Sequence, residues 1–452
     1  MGFQMESKAI NQLKMGLQTS IETVKQFKKS RLLLLAVACV VEVLSLVLPC
    51  NSLASLAMLS CVILSGYLLF DSRGNWILVI VYAFLAYSCY SILCAVYLQV
   101  ISPSPYQMFA NSPIAWTGSS IMLAFIICLG FTTPASRSGV MVRAVASHER
   151  NLIIVVICAA LLLYFGLTGL SDGGSERAAI NSTLYEYSIV FLIVGLYYSA
   201  DDKYALSLFV VLIAFRAYID FSTGNRVTAL EMMTVFFLMR LAYRARWKYV
   251  LPLAFVLFVA LMSVGALRGG DFSISEVSSY FSETVRQDAF AWDGGYAAYH
   301  ASLCVLSYER LLDPLARLLA FPGYLLSISI NFLSSNIMYD PVALARTEYW
   351  HMGGCYFPFH FHFYLGMFGV VVASLLVGLA LRYFSQGKIW SESARPEITL
   401  VATWVGATAF RWIQYSPIQL LRGVAVVAIV AIFARYLHTT LRRFLMRDDV
   451  IG

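Results

Sequence analysis

The sequence predicts an all-α polytopic membrane protein. Of its 452 residues, 60% are hydrophobic and only 13% are charged, whereas soluble proteins carry about 25% charged residues. Apolar segments recur along the chain at about 20 residues, the length that an α-helix needs to cross a bilayer. This composition excludes a soluble enzyme, a disordered chain and a nucleic-acid-binding protein.

Twelve transmembrane helices are predicted, nine in a bundle over residues 31–267 and three at 357–436. Residues 1–30 are predicted as an amphipathic segment on the cytoplasmic surface, because apolar residues recur there at helical spacing among lysines. Residues 437–452 are predicted as a cytoplasmic tail. The twelve segments lie at about 31–48, 52–70, 76–99, 116–133, 151–169, 184–200, 204–220, 227–243, 249–267, 357–381, 397–413 and 417–436.

The basic residues predict the orientation of these helices. With the N-terminus inside, the inner tails and loops hold 22 of the 32 Lys and Arg residues, and the outer loops hold seven. Loops that remain in the cytoplasm carry such an excess of Lys and Arg. Both termini are therefore predicted to be cytoplasmic.

One connection is much longer than the others and lies on the outer side of this topology. It covers residues 268–356 and is net acidic. An apolar stretch at 318–333 is interrupted by Pro322 and Gly323, which predicts a pair of half-buried or re-entrant helices rather than a span. Because long ordered loops are usually functional, we expect any chemistry on this side.

Ionisable residues at membrane depth are costly and are therefore functional candidates. Glu42 lies in the first predicted span. Arg216 and Asp220 lie four residues apart near the outer end of the seventh span, so they share one helix face. A structural ion pair is the simpler interpretation of these two residues.

Three further arginines lie at outer ends of predicted spans. Arg226 follows Asn225 in the segment Ser-Thr-Gly-Asn-Arg, which opens the eighth span, and a helix N-terminus with an added guanidinium is suited to an anion. Arg411 and Arg422 flank the last outer turn, at 412–419. Contact with lipid headgroups explains one such arginine more easily than two, which favours an anionic substrate.

Histidines and aromatic residues gather at the exit of the long loop. His351, His360 and His362 are candidates for a general base or for hydrogen bonds to substrate. Tyr356 and Tyr364 lie among them, and aromatic rings can stack on sugars as well as anchor at a membrane interface.

A zinc site is the less favoured interpretation of these histidines. His360 and His362 are two residues apart, which places them on nearly opposite sides of a helix. The nine cysteines include no CxxC pair, so thiol-ligated zinc is not indicated. Cys304 and Cys355 share the long loop, so one disulfide is possible there.

This organisation resembles the Wzy-type repeat-unit polymerases of bacterial surface polysaccharides, such as O-antigen polymerase. The layout of spans with one large periplasmic loop before the last three is similar over the whole chain. Shorter similarities lie in Gly224–Arg226 at the start of a span, in the run from Gly353-Gly354 to Tyr364, in Phe368-Gly369, and in Arg411 and Arg422 around the last periplasmic turn.

The resemblance implies an enzyme of the bacterial inner membrane with its active site facing the periplasm. Donor and acceptor would be polyprenyl-diphosphate-linked oligosaccharides, with a separate chain-length regulator as a partner. Arg226, Arg411 and Arg422 would bind the diphosphate, with Arg286 and Arg346 as alternatives. Asn225, Tyr356 and Tyr364 would contact sugar.

Many members of that family carry an acidic residue shortly before the tyrosine that corresponds to Tyr364, and the base that deprotonates the acceptor hydroxyl is expected near this position. His362 takes this position here and is the first candidate, followed by His360, His351 and Glu348. The sugar–diphosphate bond supplies the energy, so no cofactor and no metal are expected, and the sequence contains no P-loop or dinucleotide motif.

Two other functions fit the same features. An O-antigen ligase shares the layout but uses a lipid A core as acceptor, and a flippase would move lipid-linked oligosaccharides without joining them. Glycosyltransferases with an acidic dyad in the first outer loop are excluded, because that loop is only Pro49 to Asn51. A transporter built from two matched halves is not favoured, because the long connection follows span nine rather than span six.

Overall fold

The computed structural model describes residues 29–101, 107–134, 150–171, 183–222, 227–266, 282, 290–291, 293–329, 340–351, 354–390 and 395–448. All regular secondary structure within these ranges is helical. The amphipathic segment predicted at 1–30 lies outside the described residues except for its last two.

Helices occupy most of the described chain. The first group is α1 Lys29–Val47, α2 Asn51–Asp71, α3 Trp76–Ile92, α4 Pro113–Thr132, α5 Leu152–Ser171, α6 Thr183–Tyr187, α7 Ile189–Tyr198, α8 Lys203–Ser222, α9 Val227–Phe236 and α10 Trp247–Ala266. The second group is α11 Asp293–Glu309, α12 Pro314–Ser329, α13 Pro341–Ala345, α14 Phe357–Phe384, α15 Pro396–Ala407, α16 Ala409–Gln414 and α17 Ile418–Asp448. Short π-helical turns extend α3 at Leu93–Tyr97 and α9 at Phe237–Leu241.

Six helices among the described residues are long and apolar enough to cross a membrane, so an all-α membrane protein is confirmed in outline. They are Lys29–Val47, Asn51–Asp71, Trp76–Tyr97, Pro113–Thr132, Phe357–Phe384 and Ile418–Arg443. Apolar helices at Leu152–Leu167, Tyr185–Tyr198 and Trp247–Leu257 are shorter.

The described residues therefore do not show the twelve uninterrupted spans that the sequence predicts. The segments predicted at 184–200 and 397–413 are each broken, at Ser188 and Thr408. The segment predicted at 204–220 is one continuous helix, Lys203–Ser222, but it carries the buried Arg216 and Asp220. Helix breaks therefore shorten the first two of these segments, whereas the third is unbroken.

Helices α2, α3, α4 and α14 pack most extensively against one another. Helix α2 packs against α3 and α4, and α4 packs against α14. Most of α4 is buried, whereas α1 exposes Leu33, Val37, Val40 and Val47. A continuous exposed apolar face of this kind suits contact with lipid.

Arg31 ties three helices together at one end of this unit. Its Nη1 lies 2.8 Å from Asp71 Oδ2 at the end of α2. Its Nε and Nη2 donate to the carbonyl groups of Gly130 and Thr133, at 3.1 and 2.6 Å, at the end of α4. The buried charge is thus paired and hydrogen-bonded, as burial requires.

The described part of the long predicted loop belongs to the bundle. Helix α11 packs against α3 and α4, and its Tyr299, Leu303 and Cys304 are fully buried. Cys304 and Cys355, for which a disulfide was possible, are both buried free thiols.

The helix break predicted at Pro322 and Gly323 is wrong, because α12 continues through both residues. A proline inside a helix removes one hydrogen bond and crowds the preceding turn, but the buried Tyr324 and Ile328 hold the following turn against the bundle. The other face of α12 exposes Leu315, Leu319 and Leu326.

Helix α14 contains a break that the sequence does not predict. Gly366 has φ +61° and ψ −154°, outside the helical region, and separates a short N-terminal part from the rest. Three residues later, an added Cβ at Gly369 would lie 2.5 Å from the Phe361 carbonyl oxygen. The run Phe357–Leu365, which carries two histidines, is therefore set off from the long apolar part of α14.

We expect Gly369→Ala to destabilise the protein by about 1–3 kcal/mol, since the backbone at Phe361 would have to move. Gly66→Ala in α2 is the matched control, because nothing lies within 4 Å of its added Cβ. Thermal unfolding of the detergent-solubilised protein measures both. Equal stability of the two variants would contradict the close approach at the break.

Candidate functional site

Arg411 lies between two glutamates where α6, α9, α16 and α17 meet. It forms an ion pair with Glu186 through Nη1, and its Nε lies 3.3 Å from Glu231 Oε1. Glu186 Oε2 also accepts a hydrogen bond of 2.8 Å from Gln419 Nε2. We call Glu186, Glu231 and Arg411 the arginine–glutamate cluster. One guanidinium is thus shared between two carboxyl groups.

The two glutamates differ in accessibility. The Glu231 side chain is 2% exposed and the Glu186 side chain is 23% exposed. Arg411, at 12%, lies between these values and also has Nη2 3.4 Å from the Thr228 hydroxyl. Glu186 is thus the member of the cluster nearest to the surroundings.

Local helix breaks place Arg411 and its neighbours. Thr408 ends α15 and its hydroxyl donates to the Trp404 carbonyl at 2.8 Å, after which the short α16 carries Arg411. Tyr415 closes α16 by donating its N–H to the Arg411 carbonyl at 2.8 Å. Helix α17 then begins at Ile418, so Gln419 and Arg422 occupy its first turns.

Arg422 is buried beside α12. Its Nη2 donates to the Ser327 carbonyl at 2.8 Å, and within the described part of the chain its Nε has no hydrogen-bond partner. The adjacent Gly423 is required by close packing, because an added Cβ would lie 2.2 Å from the Trp404 indole nitrogen. Arg422 therefore faces α12, while the next residue, Gly423, packs against α15.

Tyr187 lies close to both arginines. Its ring stacks on Trp404 at 5.8 Å and 9°. Its buried hydroxyl is within electrostatic range of Arg422, Arg411, Glu186 and Glu231, and no described residue accepts or donates a hydrogen bond to it. Arg411 on α16 and Arg422 on α17 thus both lie within electrostatic range of one side chain, Tyr187.

Arg216 and Asp220, predicted as an ion pair, are bridged by an aromatic residue. The Arg216 guanidinium carbon lies 3.7 Å from the centre of the Tyr185 ring, and the Tyr185 hydroxyl donates to Asp220 Oδ1 at 2.6 Å. Asp220 lies within electrostatic range of Arg216 and of Arg411. Arg216 is fully buried, and its Nε and Nη1 have no partner among the described residues.

These residues form a compact set of buried charges. It contains three guanidinium groups, on Arg216, Arg411 and Arg422, and three carboxyl groups, on Glu186, Asp220 and Glu231. Several of the guanidinium N–H groups have no acceptor among the described residues, and a buried donor without a partner costs free energy. An anion could therefore bind here by exchange with a carboxylate.

His362 lies in a different group of charges. Its Nδ1 is 2.8 Å from Glu309 Oε2, and Arg317 Nη1 is 2.7 Å from Glu309 Oε1. Because a carboxylate accepts, His362 Nδ1 carries the hydrogen and Nε2 can act as a base, as in other histidine–carboxylate pairs. The contacts of His362 are with the α11–α12 junction rather than with Arg411.

His360 points to the opposite side of α14, as a two-residue spacing on a helix requires. Its Nδ1 is 2.9 Å from the Tyr324 hydroxyl, and the two rings are stacked at 11°. Tyr364 also stacks on Tyr324, with ring centres 4.8 Å apart. All three rings are buried, so His360 and Tyr364 contribute to packing in this arrangement.

The remaining loop candidates are divided between interior and surface. His351 is 5% exposed, and its Nε2 donates to the Val342 carbonyl at 3.1 Å. Tyr356 is fully buried and donates its hydroxyl to the Gly295 carbonyl at 3.1 Å. Arg346 and Glu348 are exposed. Arg226, Asn225 and Arg286 lie outside the described residues.

Burial lowers the pKa of His351 below its usual value, and the nearby Arg346 lowers it further. His351 is therefore neutral over the pH range in which an exposed histidine begins to bind a proton. Asp340 at the start of α13 has its pKa raised by burial, although it accepts the Val342 N–H at 3.1 Å.

Sequence reasoning missed Glu186, Glu231 and Glu309. Glu186 and Glu231 both lie inside predicted spans, so the criterion that selected Glu42 should have selected them as well. Their meeting with Arg411 depends on the tertiary fold and has no local signal. Among the described residues, no three His, Cys, Asp or Glu side chains converge in a way that could hold a metal ion.

Comparison with known proteins adds no further constraint: no protein-family model, curated protein or solved structure matches the chain. Its functional assignment therefore rests on the residues and contacts described above.

We expect Arg411→Met to destabilise the protein by about 3–5 kcal/mol, because it leaves buried carboxylates without their cation. Adding Glu231→Gln should recover more than half of that loss. Arg435→Met is the matched control. Arg435 is half-exposed and pairs with Glu397 at 3.1 Å, and exposed ion pairs contribute less than about 1 kcal/mol. Thermal unfolding of the unchanged protein, the single variants Arg411→Met, Glu231→Gln and Arg435→Met, and the double variant measures this. Additive effects of Arg411→Met and Glu231→Gln would refute the coupling.

We expect His351 to make the protein less stable at acidic pH. In the unfolded chain this histidine has a pKa of about 6.5, whereas in the folded protein burial holds its pKa below that value. The free energy of unfolding therefore falls as the pH drops below that value. His351→Gln keeps a donor for the Val342 carbonyl but cannot titrate, so its melting temperature should fall less between pH 7.5 and 5.5. Parallel curves for the two proteins would show that His351 does not carry this effect.

Proposed function

We propose that the protein polymerises polyprenyl-diphosphate-linked oligosaccharide repeat units at the periplasmic face of the bacterial inner membrane. The observation that carries this proposal is that Arg411 and Arg422 lie together, around Tyr187, in a buried set of balanced charges. The proposal includes the predicted topology of twelve spans with cytoplasmic termini. It draws on the likeness in layout to Wzy-type polymerases.

The chemistry of the substrate explains why arginines would be needed. A polyprenyl diphosphate places its lipid tail in the bilayer and its two phosphates at the membrane surface. Guanidinium groups offer permanent charge and a forked pair of donors that match phosphate oxygens. They would also stabilise the charge that develops on the diphosphate as it leaves the sugar.

The same site restricts where the base can lie. In such a donor the anomeric carbon is bonded directly to a phosphate oxygen. The acceptor hydroxyl must therefore lose its proton within a few ångströms of the arginines that hold the diphosphate. Residues in contact with Arg411 or Arg422 meet this requirement better than residues that contact other parts of the fold.

We expect Arg411→Lys and Arg422→Lys to insert normally and to make at least tenfold less polymer. Lysine keeps the charge but loses the forked donor pair. The same loss is expected for Arg226→Lys. Arg435→Lys, on α17 with Arg422 but paired with Glu397, is the control and should make normal polymer.

The measurement is surface glycan length in a deletion strain that carries each variant. Single repeat units on lipid A in the deletion strain support a polymerase. Polymer without attachment would indicate an O-antigen ligase, and internal accumulation of unjoined units would indicate a flippase. Normal chain length in all three Lys variants would contradict the diphosphate site.

A further inference from the structure

Glu186 is held differently from the other carboxylates of the charged set. Its partners are Arg411 and the neutral amide of Gln419, and its side chain is 23% exposed. Glu231 is nearly inaccessible, and Asp220 is fully buried and accepts the Tyr185 hydroxyl. Glu186 is thus the most accessible of the carboxylates around Arg411, and once displaced it can keep its contact with Gln419 or reach the surroundings.

We propose that Glu186 is a displaceable partner of Arg411, and that it becomes the general base of glycosyl transfer when a lipid-linked diphosphate takes its place. This inference rests on the proposed function. It adds the identity of the general base and the way in which donor binding makes that base available.

Charge and hydrogen bonding favour the exchange. A diphosphate carries more negative charge and more acceptor oxygens than a carboxylate, so it competes well for Arg411. Arg422 Nε and two N–H groups of Arg216 lack acceptors in the described structure. The oxygens of an incoming diphosphate can accept hydrogen bonds from these N–H groups, which Glu186 does not contact. Glu231 stays beside Arg411 during the exchange, so Arg411 is never without a neighbouring carboxyl group.

Displacement also changes the chemical character of Glu186. In the structure both carboxylate oxygens of Glu186 are engaged, one by Arg411 and the other by Gln419. Once the diphosphate occupies Arg411, the oxygen that faced Arg411 is free to accept the proton of an acceptor hydroxyl. Glu186 is therefore available as a base only when a donor is bound.

The transfer step then balances as follows. The acceptor hydroxyl oxygen attacks the anomeric carbon of the donor, and its proton passes to the Glu186 carboxylate. The bond between that carbon and the phosphate oxygen breaks, and its electron pair remains on the polyprenyl diphosphate. When the diphosphate departs, Glu186 releases the proton to water and pairs with Arg411 again.

The histidines are less suited to this role because their contacts lie elsewhere. His362 is bound to Glu309 at the α11–α12 junction, and His360 is buried against Tyr324. Neither arrangement couples the base to occupation of Arg411.

The test uses the purified full-length protein in lipid nanodiscs, with binding of radiolabelled undecaprenyl diphosphate and joining of lipid-linked repeat units as separate readouts. Glu186→Gln should bind undecaprenyl diphosphate at least as tightly as the unchanged protein, because the competing charge is gone. It should join repeat units at least 100-fold more slowly, as expected for loss of a general base. Glu186→Asp, which restores a carboxylate on a shorter arm, should recover part of the rate and keeps the test valid if the Gln variant folds poorly.

His362→Gln is the matched comparison and should retain more activity than Glu186→Gln. Normal joining by Glu186→Gln, or a loss confined to His362→Gln, overturns the role of Glu186 as base. Binding that is tenfold weaker in Glu186→Gln overturns the displacement. If the unchanged protein neither binds the lipid nor joins units, the proposed function itself fails, which is a different result from either of these.

Discussion

The shared ion pairing of Arg411 with Glu186 and Glu231 is the interaction on which the rest of the proposed site depends. Charged groups that are buried away from water need a partner of opposite charge. Removal of one partner leaves the remaining charge uncompensated, which lowers the stability of the fold strongly. Because the three residues come from α16, α6 and α9, this requirement holds the ends of three helices at one place. The breaks at Ser188 and Thr408 lie beside it.

These breaks fit a general rule for membrane proteins. Irregular backbone at membrane depth is tolerated where protein rather than lipid surrounds it. The exposed apolar faces of α1 and α17 belong to long continuous helices. The short helices α6 and α16, by contrast, carry Glu186 and Arg411 of the arginine–glutamate cluster. The fold therefore separates a regular surface suited to lipid from an irregular interior suited to polar chemistry.

The sequence predicted the helical membrane class because hydrophobic composition alone determines it. It also selected Arg411 and Arg422 as candidates from their positions at helix ends, and their role stays a prediction. It did not identify Glu186 and Glu231, since a carboxylate acquires its role from partners far along the chain. It predicted a break at Pro322 where α12 continues, and missed the break at Gly366, because packing on both sides decides whether a helix tolerates either residue.

The histidines illustrate the same limit. Spacing correctly placed His360 and His362 on opposite helix faces, but only the fold shows that one contacts Tyr324 and the other Glu309. His362 as the base stays a prediction beside Glu186.

The most direct test of the account is reconstitution of the purified protein in liposomes with a defined undecaprenyl-diphosphate oligosaccharide as the only substrate. The account predicts that chains of two or more repeat units form and that one undecaprenyl diphosphate is released for each new bond. Movement of the substrate between leaflets without any joining would contradict it.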